Sequence, residues 1–171
     1  MRNRTSTRDL DYFLHPSTPL LVSEGLKAAI SRVCVQLDYD SSWCNDEILA
    51  FVNLLRRPEE LFDQSLRQGL VLYSSKNLEV YAAHWMWSLV RKMKRLQMSV
   101  LPPRMVDFTD CVDISRIIYQ EQGMIGKDML EQFDHSEREP PVFLSTAQSI
   151  GSMCARTWGS FPFNLEGVTE D

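Results

Sequence analysis

An all-α fold, a compact bundle of about seven helices around one buried central helix at 77–97, is what this 171-residue chain predicts. Three observations carry that reading. Apolar residues recur at spacings of three and four in most of the longer segments, the period of one helix face. Prolines and glycines punctuate the chain between those segments, at Pro16, Pro19, Pro58, Gly69, Pro102-Pro103, Gly123, Gly126 and Pro140-Pro141. No convincing alternation of apolar and polar residues marks a set of strands. With 44% hydrophobic and 24% charged residues the composition is that of a folded globular chain, which excludes wholesale disorder. The expected organisation is a single helical domain over 21–160 between a flexible tail at 1–20 and an acidic tail at 161–171.

Each element follows from local chemistry. His15-Pro16-Ser17-Thr18-Pro19 disfavours helix, because a proline pushes its predecessor toward extended conformations. Ser23 is a good N-cap, Glu24 suits the first turn, and Leu26, Ile30, Val33, Cys34 and Leu37 form a stripe that should run to about Asp38. A second helix is expected from near Ser42, with Ile48, Leu49, Val52 and Leu55 inward and Phe51 beside them, ended by Pro58. Pro58 also suits the first turn of a third helix, where Glu59 and Glu60 complement the helix dipole and Gly69 supplies the stop. Leu70–Tyr73 reads as a brief strand or as the entry to the next element. Asn77 then caps the long helix, whose first half is apolar nearly all round and therefore central. Asp107, Thr109 or Asp110 caps a helix with Ile114, Ile117 and Ile118 inward. A short helix spans Asp128–Phe133. Ser145 or Thr146 caps a final one through Ile150, Met153, Cys154 and Trp158.

The ends and the cysteines bound the setting. The first nine residues are polar and lack the apolar core of a secretion signal. The longest uncharged apolar stretch, Val80–Val90, has half the roughly 20 residues a membrane span needs. A cytoplasmic or nuclear protein with no membrane association is expected. Cys34, Cys44, Cys111 and Cys154 form no Cys-x-x-Cys pair, and His135 beside Asp134 and Glu137 matches no metal-site spacing, so neither a metal nor a cofactor is expected. No glycine-rich phosphate loop is present.

Charge is segregated along the chain. Residues 80–106 hold no acidic side chain but carry Arg91, Lys92, Lys94, Arg95 and Arg104, whereas 107–140 have a net charge of −6. The two stretches either neutralise one another or leave a basic helix end for an acidic partner, phosphate or RNA. The overall charge of −5 argues against a dedicated nucleic-acid binder.

One string has a chemical resemblance. Trp43-Cys44-Asn45-Asp46-Glu47 resembles the Trp-x-Asn-Asp-Glu segment of the cysteine proteases that process ubiquitin-like (SUMO) proteins, and two later features follow in that family's order. His84-Trp85 resembles its catalytic His-Trp pair; Gln148, six residues before Cys154, resembles its oxyanion glutamine and nucleophile. The resemblance implies Cys154 as nucleophile, His84 as its base and Gln148 as donor to the oxyanion. Where the family has Asp-Cys-Gly this chain has Met153-Cys154-Ala155, and only 17 residues follow Cys154. Read from the residues alone, Ser42 or Asn45 with Glu47 is an ordinary helix start, and His84 and Cys154 are core side chains.

No coherent catalytic set accompanies the large apolar content. The leading expectation is a non-enzymatic interaction or regulatory protein that binds a protein partner. Its site would be an apolar groove with a basic flank, built from Trp85, Trp87, Arg91, Lys94 and Arg95. A cysteine-protease-like protein, active or not, is the alternative.

Overall fold

In the computed structural model, residues 10–48, 58–99, 105–134 and 139–170 are described. Among them are six helices and two small two-stranded sheets. The chain is thus mostly helical rather than purely so. The stripe expected at Leu49–Leu55, the Pro102-Pro103 break, Arg104 and the His135 cluster lie outside the described residues.

The segment expected as an N-terminal tail is structured from Leu10. Strand β1 (Leu10–Asp11) pairs in parallel with β2 (Cys44–Asn45). Phe13 reaches the core and sets its ring edge-on against Phe62, 6.1 Å between centroids. Helix α1 (Leu20–Leu37) starts three residues before the expected cap Ser23. Pro19 has the extended geometry that starts a helix, and its carbonyl accepts from the amides of Val22 and Ser23. The helix ends as expected at Asp38, in the left-handed conformation that Asp tolerates better than most residues.

Ser42 does not open a helix. Its amide and hydroxyl both donate to the Asp40 carboxylate, at 2.8 and 2.5 Å, which holds the chain in a turn leading into β2. Such local side-chain bonds compete directly with helix formation. Asn45 makes a second turn of this kind by accepting from the Glu47 amide.

Helix α2 (Pro58–Gln68) buries Leu61, Gln64 and Ser65 and stops at Gly69, where φ is +70°. A hairpin follows, β3 (Val71–Ser74) against β4 (Glu79–Tyr81), with a bulge between Val71 and Tyr73. This replaces the first two turns of the helix expected at 77–97. Ser75 closes the turn by bonding Leu78 through both its hydroxyl and its amide, and Val80 and Tyr81 are residues that favour strands. The central helix, α3 (Trp85–Met98), begins eight residues late because its first amides find their acceptors there: the Gln68 carboxamide takes the Trp85 amide, and His84 takes that of Met86.

The centre of the molecule is as expected. Met86, Leu89, Val90 and Met93 of α3 are fully buried, and α3 packs along α4 (Met105–Gln122), α5 (Lys127–Gln132) and α6 (Leu144–Trp158). Cys111, Ile118, Ile150 and Cys154 complete this core. The stretch 161–170 is no tail. Pro162, Phe163 and Val168 are buried, the Pro162 carbonyl accepts from the Ile125 amide at 2.8 Å, and Thr169 accepts from Leu144 at 2.7 Å. A run of Phe, Pro and Phe before the acidic end is what drives this return to the core. No helix of the described residues is long and apolar enough to cross a membrane.

Candidate interaction groove

One helix face gathers most of the residues singled out as a binding surface. Trp87, Arg91, Lys94, Arg95 and Met98 follow at spacings of three and four along α3, so their side chains share one flank of the rod. They line a groove of about 600 Å³ whose other wall is Asp11, Glu47, Ile48 and Glu139. Trp85 is not part of it. Its side chain packs, half-buried, against the core.

The electrostatics of the groove are decided by what stands behind it. Arg91 makes a two-pronged pair with Glu139. Lys92 lies 2.7 Å from Asp110 and 3.6 Å from Asp107. Lys94 is fully buried and holds Asp134 at 2.5 Å, with Glu139 at 3.9 Å. Arg95 lies 3.5 Å from the buried Asp107, yet half of its side chain is open to solvent. The basic and acidic stretches therefore brace α3 against α4 and against the chain after α5. A buried lysine is tolerable only with such partners, since an unpaired buried charge costs several kcal/mol. Two groups on or behind α3 remain unsatisfied among the described residues. The Trp87 indole N–H and the second Asp107 carboxylate oxygen are buried without a hydrogen-bond partner. The wall supplied by Asp11, Glu47 and Ile48 was missed in the sequence. The Asn45–Glu47 turn was its one local signal.

The residues of the protease resemblance occupy different settings. His84 caps α3 through Nδ1, 3.3 Å from the Met86 amide, and its ring stacks on Phe133 at 4.4 Å. Burial, helped by nearby Arg67, lowers its pKa below that of a free imidazole. Cys154 is fully buried in α6, and burial pushes its thiol up to about 12, against the weaker opposing effect of the Trp158 indole. Such a thiol is almost wholly protonated near neutrality, whereas nucleophilic attack needs the thiolate. Gln148 is exposed on α6. Among the described residues no hydrogen bond or ring contact joins any two of these three. Cys111 is likewise buried, and its thiol is raised for the same reason. No group of three or more His, Cys, Asp or Glu side chains among the described residues is placed to hold a metal ion.

No protein-family model matches the chain, and no curated protein or solved structure is similar enough to match it.

Proposed function

We propose that this chain is a non-enzymatic interaction protein of the cytoplasm or nucleus that binds a segment of another protein in the groove along α3. The observation that carries the reading is the convergence of Trp87, Arg91, Lys94 and Arg95 on one groove. A volume of about 600 Å³ is in the range of ligand-sized clefts and can take several side chains of a partner segment. Trp87, Ile48 and Met98 offer apolar contact. Arg95, half of whose side chain is open to solvent, can take a carboxylate. The fitting occupant is an amphipathic segment with acidic residues beside its apolar face. Lys94 and Arg91 act here chiefly as posts, because their charges are already engaged.

A displayed library of amphipathic peptides, selected on the purified chain, tests this. Acidic members should be enriched, and Arg95→Glu should weaken the best binder about tenfold or more. Trp87→Phe, which deletes only the N–H and part of the ring, should weaken it several-fold. Enrichment that ignores charge and survives both substitutions would overturn the reading. Binding of single-stranded RNA with a steep loss of affinity as salt rises would move the assignment to nucleic acid.

A further inference from the structure

The α3 groove carries open charge of both signs, and the two signs stand on different walls. The cations of α3 are claimed by carboxylates of α4 and of the chain after α5: Lys92 by Asp110, Lys94 by Asp134 and Arg91 by Glu139. Arg95 is the most open of them, with 51% of its side chain in solvent. The facing wall is acidic. Asp11, at the end of β1, and Glu47, two residues beyond β2, both line the groove and are both exposed. Because the α3 cations are engaged elsewhere, neither carboxylate pairs with them, and neither forms an ion pair with any other described residue. Their places are set by backbone bonds to β2. The Tyr12 amide donates to the Asn45 carbonyl at 3.0 Å, and the Asn45 side chain accepts from the Glu47 amide at 3.0 Å. Between the two walls lie the apolar side chains of Trp87, Ile48 and Met98.

We propose that the partner segment bound in this groove is an amphipathic helix charged on both flanks of its apolar stripe: a carboxylate on the flank that meets Arg95, and a lysine or arginine on the flank that meets Asp11 and Glu47. The proposal rests on the groove being the binding site and adds the sign of charge required at the second wall. Two unpaired carboxylates beside an apolar lining favour a cation and repel a further carboxylate. A lysine or arginine stem can cover Ile48 while its charged head stays at the rim. On an amphipathic helix the residues that flank the apolar stripe face opposite ways, so one flank can be acidic and the other basic. A segment acidic on both flanks satisfies Arg95 but meets Asp11 and Glu47 across the gap. The same charges fix the direction of the segment. Turned end for end with its apolar face still down, the helix would set carboxylate against carboxylate and cation against cation. Complementary charge of this kind excludes wrong partners and wrong orientations more than it adds affinity.

A peptide library with one fixed apolar stripe, each flank drawn from Glu, Lys and Gln, tests the proposal when selected on the purified full chain and on two variants. On wild type, peptides with Glu on one flank and Lys on the other should be enriched over those with Glu on both. On the double variant Asp11→Lys/Glu47→Lys, changed only at exposed positions, peptides with Glu on both flanks should win. On Arg95→Glu, peptides with Lys on both flanks should win. The best mixed peptide should bind the double variant about tenfold less well than wild type, and changing its Lys to Glu should restore most of that loss. Near 1 M salt, where screening acts within about 3 Å, the preference for mixed flanks should fade. Wild type that enriches Glu on both flanks, or flanks that ignore the Asp11 and Glu47 substitutions, would overturn this inference while the acidic-partner reading stands. Lys on both flanks with wild type, or no enrichment over a library that lacks the apolar stripe, would overturn the two together.

Discussion

Helices α1 and α4 are both 18 residues long, yet they sit in the molecule in opposite ways. Helix α1 carries three charged side chains and buries no residue; Leu21 and Val35 are at least 80% exposed. Helix α4 carries five charged side chains and buries six residues, Asp107 and Ser115 among them. Polarity counted along the chain would have ranked them the other way. What differs is the partner. Helix α4 lies along α3, where Lys92 and Arg95 meet its acidic first turns and Leu89, Val90 and Met93 meet its isoleucines. Helix α1 meets the rest of the described chain mainly through its last turn and Lys27: Trp43 donates to the Cys34 sulfur at 2.9 Å, and Lys27 pairs with Asp46 at 2.5 Å. A helix face is buried by what is set against it.

The sharpest way to break that contrast is Lys94→Ala. It removes the buried ammonium that pairs with Asp134 and lies near Glu139, and breaking a buried pair costs about 3–5 kcal/mol. Chemical denaturation should show that loss, and Lys94→Met should recover only part of it, since it restores the buried stem but not the charge that faces Asp134. Next comes a matched pair. Ile118→Ala in α4 should cost about 2–5 kcal/mol through the cavity it leaves. Val35→Ala in α1 should fall within about 0.5 kcal/mol. Equal losses would dissolve the distinction between the helices.

A third contrast separates the core from its rim by pH. In the unfolded chain the Cys154 thiol ionises near 9.0, whereas in the fold it is held protonated to about 12. Its contribution to stability is full below pH 9 and is lost as pH rises from there toward 12; Cys154→Ala should flatten that alkaline limb. His84 acts on the other side. Its folded pKa lies below the ordinary 6.5, so protonation favours the unfolded chain. Its contribution is full above pH 6.5 and falls as the pH drops below that value. Urea titrations at half-unit pH intervals should resolve both limbs. A thiol that ubiquitin-like activity probes label at pH 7 would contradict the protonated state of Cys154.

Much of the fold was legible in the residues. The stripe of α3, the stop at Gly69, the end of α1 at Asp38 and the span of α6 follow from period and capping, which act within one or two turns. The residues of the groove were legible in part. Trp87, Arg91, Lys94 and Arg95 share a helix face by spacing alone, but that their charges would be bound by Glu139, Asp134, Asp107 and Asp110 depends on side chains 12 to 48 residues away. The errors have the same origin. Asn77 was expected to cap a helix, and Gln68 and His84 cap it instead, one of them from a different element. The acidic end was expected to be free, and Phe163 and Val168 anchor it.

By itself, then, the amino-acid order determined that this chain is mostly helical, where most of its helices lie and which flank of α3 carries tryptophan and cations, because those features arise from forces between residues a few positions apart. Only the tertiary structure decided that Lys94 is a buried post rather than a reaching charge, and that β3 stands exposed. Burial and ion pairing at those sites are settled by segments distant in the chain, and nothing in the local pattern records which of them will meet.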